Sequence, residues 1–307
     1  MPRSRETAVQ SGTARSETVR VSAQLNLRVL RWDGALPGFV LVHGLASNAL
    51  LWRAGAEMLS QGDPRAGWGH AVTEIDLRGH GESDVPASGY DTATAAGDVA
   101  AVIATLGLGR PVVAGQSWGG NVAVELAATF PHLVAAIALV DGGWICPSDT
   151  FASWAEVLQK LTPPDLGDRS WPEVSAMVQA SHPDWAVWAI EATLANLREL
   201  PDGSVRARLA REHHLSILRS MWDHSIADRY SAVAVPSLLV PAGSRAGAKL
   251  AAVEQAARGL TRAGSRPEIR WYDGADHDLH AQHPGRLAGD LRSLAQRAQV
   301  MAAGAEA

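Results

Sequence analysis

Hydrophobic and polar positions along the 307-residue chain change period several times. Val19 to Trp32 alternates, as the strands of an antiparallel hairpin with one wet face do. Short continuous apolar runs follow at residues 38–43, 70–76, 111–115, 134–141, 237–241 and 268–272. Runs of that length suit strands buried on both faces. Between them, residues 49–59, 92–106, 119–130, 248–263 and 285–299 carry helical spacing. The alternation predicts an α/β fold, a mostly parallel central sheet with helices on both faces.

One interval breaks the rhythm. Residues 144–230 hold no good strand; the segment is helical, punctuated by Pro163, Pro164, Pro172, Pro183 and Pro201. It contains Trp144, Trp154, Trp171, Trp185, Trp188 and Trp222, six of the eleven tryptophans. An insertion between two strands at the C-terminal edge of such a sheet is expected to roof the ligand crevice as a lid. The core is therefore assigned to residues 18–143 and 231–300, with a disordered polar tail at 1–17 and a short C-terminal tail at 301–307.

Composition narrows the class. Hydrophobic residues make up 47% and charged residues 19%, as in a globular domain. The net charge of −5 comes from 27 basic and 32 acidic residues without a basic run, so no nucleic-acid partner is expected. The single cysteine, Cys146, excludes an intrachain disulfide and a cysteine-based metal site. The polar N-terminus does not read as a secretory signal and no apolar stretch reaches the ~18 residues of a span, so a cytoplasmic protein off the membrane is expected.

The chemistry gathers at Gly115-Gln116-Ser117-Trp118-Gly119. This G-x-S-x-G sits between an apolar strand and an alanine-rich helix, where a strained turn lifts a serine hydroxyl above the sheet edge. Ser117 is the candidate nucleophile. A serine hydroxyl needs a base within hydrogen-bond reach, itself oriented by a carboxylate. His277, in the loop leaving the last strand, is the candidate base; His280 and His283 are rivals read as capping the next helix or facing solvent. An oxyanion hole needs two backbone N–H donors. Trp118 supplies one, and Leu45, or alternatively Ala46, in His43-Gly44-Leu45-Ala46 the other. His43, Trp144, Trp185 and Trp188 are the candidate substrate-pocket residues, because tryptophan offers a large flat surface to a bulky apolar ligand. Trp185, Trp188 and Ala192 share one helix face, which suits either core or pocket. No G-x-G-x-x-G and no ligand cluster of metal spacing is present, so no cofactor is expected.

Taken together, His43-Gly44, Asp76-Leu77-Arg78-Gly79-His80-Gly81-Glu82-Ser83, Gly115-Gln116-Ser117-Trp118-Gly119-Gly120 and Gly274-Ala275-Asp276-His277 resemble the α/β-hydrolase superfamily. The likeness is to its lidded serine hydrolases: esterases, lactonases, C–C hydrolases and haloperoxidase-like enzymes. The resemblance implies that the Asp76–Ser83 segment is structural. It also implies an acid on the loop after the strand that follows the lid. That loop, Pro241-Ala242-Gly243-Ser244-Arg245-Ala246-Gly247, has no Asp or Glu. Some members place the acid after the preceding strand, where Asp141 stands; neighbouring strand ends lie only about 5 Å apart. Asp223 or Asp228, or a dyad without an acid, remain alternatives. The implied activity is acyl transfer on an ester, lactone or related bond. The same fold also serves C–C lyases and ligand-binding receptors.

Overall fold

The computed structural model describes residues 14–61 and 69–305. Among the described residues, eight strands form one sheet in the order β1-β2-β4-β3-β5-β6-β9-β10. β1 (Arg15–Ser22) and β2 (Leu25–Trp32) make the expected antiparallel hairpin, and β2 also runs antiparallel to β4 (His70–Ile75). β3 (Ala35–Val42), β5 (Val112–Gln116), β6 (Ala136–Val140), β9 (Ser237–Val240) and β10 (Glu268–Ile269) continue the sheet in parallel.

The uninterrupted apolar runs have the expected cause: alternate side chains enter opposite cores. From β3, Val40 and Val42 pack with α2 (Thr92–Thr105) and α3 (Trp118–Thr129), the layer that also holds Val253 and Leu260. Phe39 and Leu41 pack on the other face with α1 (Arg53–Gln61) and with Leu287, Leu291 and Leu294. Both cores are closed to water.

Between β6 and β9 lies a helical insertion: α4 (Pro147–Thr150), α5 (Trp154–Leu161), α6 (Trp171–Ser181), α7 (Val187–Leu194) and α8 (Arg211–Asp223). It is not wholly helical. β7 (Leu197–Glu199) and β8 (Val205–Ala207) pair antiparallel, where no strand was expected. Three residues per strand are too few to show a period of two. After the insertion come α9 (Gly247–Arg262), α10 (Leu279–Gln282) and α11 (Pro284–Ala305).

The ends differ from expectation. Of the predicted polar tail, residues 1–13 lie outside the described residues, while Arg15, Ser16 and Glu17 pair with Arg31, Leu30 and Val29 in the sheet. The predicted C-terminal tail from 301 is helical to Ala305, because alanines at 302, 303 and 305 favour continuing α11. No described helix is long and apolar enough to cross a membrane.

The register places the site. Gln116 pairs with Val140 and Val140 with Val240, so Ser117, Asp141 and Pro241 leave the sheet side by side at its C-terminal edge. The bridge from Ala242 to Tyr272 brings the loop carrying His277 to the same edge.

Candidate active site

Ser117 sits at the tip of the β5–α3 turn with φ 53°. Among the described residues, the non-glycine positions with positive φ are Ala46, Ser117, Asp141 and Arg266. Three of these four belong to this one site, and such strain persists only where the surroundings over-determine it. Here they do. Ser117 N–H donates to the Val140 carbonyl at 3.0 Å, and a Cβ on Gly142 would strike the Ser117 backbone. A Cβ on Gly115 would strike the Gly119 carbonyl, which accounts for the glycines flanking the motif.

His277 Nδ1–H donates to Asp141 Oδ2 at 2.6 Å, leaving Nε2 as the basic nitrogen. Asp141 is 3% exposed. Its Oδ1 accepts the Ala242 N–H at 3.0 Å, and Lys249 Nζ reaches Oδ1 at 3.0 Å and Oδ2 at 3.1 Å. The loop after β9 therefore carries no acid of its own and instead helps clamp a carboxylate at the end of β6. Burial works against ionisation of Asp141, but hydrogen bonds from His277 and Ala242, with the charges of His277 and Lys249, hold it below the ordinary 3.8. Burial also works against the charged His277, and the Asp141 hydrogen bond and charge prevail, raising it above 6.5. The His277 side chain keeps 52% of its accessible surface, so solvent moderates these effects.

Ser117 and His277 line one cavity of about 160 Å³, with Leu45, Ala46, His182 and Asp278 among its other walls. Among the described residues no hydrogen bond joins Ser117 Oγ to His277; such bonds commonly tighten only around substrate. Asp223 and Asp228 line a separate cavity of about 380 Å³ that includes neither Ser117 nor His277, and Asp223 pairs with Arg219 at 2.7 Å. Asp141 is the carboxylate brought to the histidine.

The loop after β3 approaches Ser117 closely: a Cβ on Gly44 would lie 2.9 Å from Ser117 Cβ. The Ala46 N–H is already committed to His80 Nε2 at 3.2 Å. Among the described residues the Leu45 N–H has no partner. Trp118 opens α3, so its N–H has no partner within the helix. Leu45 shares the cavity wall with Ser117, and the positive end of α3 begins at the serine.

The four candidate pocket residues fall elsewhere. His43 is fully buried: Nδ1–H donates to the Gly44 carbonyl at 2.7 Å and Nε2 accepts the Leu77 N–H at 3.0 Å. Burial lowers it to about 4, so it is a neutral brace. Trp144 is buried in the core beneath α3. Trp185 and Trp188 are half-buried and pack against Leu51, Ala189, Ala192 and Ala281, with Trp185 stacked on His182. None of the four lines the Ser117 cavity; the tryptophans' large surfaces secure the insertion to the body instead. Cys146 is buried and away from the cavity. His280 is also buried, against Trp52, rather than capping or facing solvent, whereas His283 is exposed.

Several residues were invisible to sequence reasoning. Gln116 Nε2 donates to the His277 carbonyl and to Asp278 Oδ1, both at 3.2 Å, tying the histidine loop to the turn. Lys249, His80, Ser47 and His182 join the site through contacts between distant segments, which no spacing in the chain displays.

A family model described as the alpha/beta hydrolase fold matches residues 37–169. An esterase of Mycobacterium tuberculosis is 30% identical over 236 residues, covering 74% of this chain and 73% of that protein. An uncharacterised protein of Mycobacterium bovis is 33% identical over 118 residues, and there the chain spans only 33% of the relative's length. The crystal structure of an E-2-(acetamidomethylene)succinate hydrolase superposes with a TM-score of 0.73 at 23% identity, covering 92% of this chain and 98% of that one. With its parallel sheet, strained serine turn and this relative along most of its length, the chain belongs to the alpha/beta hydrolase fold family.

Proposed function

We propose that the protein is a serine hydrolase acting on an ester, lactone or related acyl bond through a Ser117–His277–Asp141 triad. The observation that carries this is the 2.6 Å bond from His277 to a buried Asp141, with His277 and Ser117 lining the same cavity. Similarity to an esterase over most of both chains supports the same class.

In this reading His277 Nε2 takes the Ser117 proton as Oγ bonds to the carbonyl carbon. The Leu45 and Trp118 N–H groups hold the developing oxyanion, each such donor being worth roughly 3 kcal/mol. The carbon–oxygen bond of the leaving alcohol breaks as His277 returns the proton to it. Water, deprotonated by His277, then hydrolyses the acyl-enzyme and restores the serine. Asp141 fixes the imidazole tautomer and stabilises the imidazolium, with Lys249 keeping that carboxylate ionised.

The insertion acts as the lid, since its His182, Thr193 and Asn196 stand in the cavity wall. The substrate is smaller than a tryptophan-lined pocket would suggest. A cavity of about 160 Å³ bordered by Leu45 and Leu51 suits a compact acyl group.

Intact-mass analysis after incubation with a small fluorophosphonate tests the reading. A single adduct on wild type that is absent from Ser117→Ala is expected. No adduct on either protein sinks it and favours a non-covalent, receptor-like use of the pocket.

A further inference from the structure

A second cavity, of about 190 Å³, adjoins the Ser117 cavity. The two share Ala46, Ser47 and Asn196 as walls, so they lie side by side. Beyond that junction the lining is mostly apolar, with Pro163, Pro164, Leu166, Leu197 and Leu209. Two polar features stand in it without an explanation in the fold.

The first is Ser47. It is 9% exposed, and among the described residues its Oγ has no hydrogen-bond partner. Buried hydroxyls are normally satisfied, and one facing a cavity is a place for a ligand atom. The second is Arg208. Its Nε donates to the Ala195 carbonyl at 2.9 Å and its Nη1 reaches the Gly81 carbonyl at 3.4 Å. Among the described residues no carboxylate pairs with it. The lining contains no Asp, Glu or Lys. His80 and His214 are both lowered, chiefly by burial, and stay neutral near pH 7. Among the described residues that line this cavity, Arg208 is therefore the sole permanent charge.

Resting on the hydrolase reading of Ser117, we propose that this second cavity is the subsite for a substrate carboxylate, held by Arg208 and flanked by the Ser47 hydroxyl. The substrate class is then a small ester or lactone bearing a carboxylate several atoms from its scissile carbonyl. The guanidinium is prepositioned by two carbonyls, so a carboxylate gains a charge-assisted bond in a water-poor space at little ordering cost. A neutral substrate of the same shape would leave the charge facing apolar surface.

The test compares matched pairs: mono-p-nitrophenyl adipate against its ω-methyl ester for the acyl side, and 4-acetoxybutanoate against its methyl ester for the alcohol side. In wild type, kcat/KM for the anionic member of at least one pair should exceed that of the neutral member by about tenfold or more. In Arg208→Gln that ratio should collapse towards one. A ratio near one for both pairs in wild type overturns the proposal. So does an equal loss on both members in Arg208→Gln, which would make Arg208 only a clamp between Ala195 and Gly81. Calorimetry separates this from failure of the hydrolase reading. Monomethyl adipate should bind the Ser117→Ala protein at least tenfold tighter than dimethyl adipate, and Arg208→Gln should remove the difference. That result supports the subsite even if no ester is turned over, and no difference between the two ligands overturns it.

Discussion

A carboxylate that is 3% exposed and still ionised needs partners, and Asp141 draws them from three segments: the His277 loop, the Ala242 N–H after β9, and Lys249 on α9. Removing the carboxylate with Asp141→Asn should lower kcat by about 10⁴-fold, the cost of losing the same orienting role in serine proteases, as read by steady-state ester hydrolysis. In the proposed mechanism the base must be neutral to work, and His277 sits above 6.5 because Asp141's hydrogen bond and charge outweigh its burial. Activity should therefore rise with pH through a limb above 6.5. The Lys249 charge lowers His277, so Lys249→Met raises it further, leaves less neutral base at pH 7 and moves the limb to higher pH. The Lys249 side chain is 39% exposed, so the loss in kcat/KM at pH 7 should be only about two- to fivefold. Lys249→Arg should restore the limb; a limb that does not move in Lys249→Met would reduce the lysine to packing. Glu74 behaves in the opposite sense to Asp141. It is fully buried, accepts Trp32 Nε1–H at 2.9 Å, and burial raises it to about 8. The folded state then holds a proton that the unfolded chain releases from about pH 4.5 upward. Stability should fall between pH 4.5 and 8, by at most about 1.4 kcal/mol per unit. Glu74→Gln should flatten that slope in denaturant titrations run across the range.

At the scale of elements, the loop after β3, proposed to supply an oxyanion donor, is held from behind. His80 in the β4–α2 connection donates Nδ1–H to the Arg78 carbonyl at 2.9 Å and accepts the Ala46 N–H on Nε2. That bond commits Ala46 and, in the proposed mechanism, leaves the Leu45 N–H for the oxyanion. His80→Leu keeps the bulk but orphans the Ala46 N–H, a loss of about 1–3 kcal/mol. The expected result is a folded protein with a lower melting temperature and a kcat reduced more than KM is raised, measured on one ester. The inner strands of the large sheet and the major helices flanking it were legible in the chain because each apolar run is a local record of burial on two faces, whereas the short β7–β8 hairpin was not. The serine turn was legible in part for a similar reason, since Gly115 is demanded by the close approach of Gly119 and Gly120, whereas Gly119 is demanded by Val42 and His43 at the end of β3. Asp141 could be named only among alternatives, and Lys249 not at all, because what selects them is a meeting of segments 108 residues apart. The tryptophans could not be assigned from the chain for a physical reason. A large apolar surface serves a pocket or an internal seam equally well, and here Trp144, Trp185 and Trp188 serve seams.

At the scale of the molecule, the insertion and the sheet domain meet at the cavity, and one buried side chain rivets them there. Asn48 is 1% exposed and uses both ends of its amide. Oδ1 caps the short helix Ala49–Trp52 by accepting the Leu50 N–H at 2.9 Å. Nδ2 donates to the Ala192 carbonyl at 2.8 Å and to Asn196 Oδ1 at 2.7 Å, both in the insertion. Asn196 in turn lines both cavities, so the rivet sets the wall between them. Asn48→Asp separates the two duties. The carboxylate can still cap Leu50, but its second oxygen now faces two acceptors that have lost their donor. Two bonds of about 1 kcal/mol each disappear, and the unpaired acceptors add to the cost. The opening should be local, because α7 is tied to the body otherwise by the small cluster of Leu51, Ala189, Ala192 and Ala281. Hydrogen exchange followed by mass spectrometry should therefore quicken by about 10- to 100-fold in residues 187–196 while β5 and β6 keep their protection. Ester hydrolysis should show a raised KM. Exchange that quickens across the whole sheet instead would mean that the insertion and the core open as one unit, and that Asn48 braces the entire fold rather than the roof of its site.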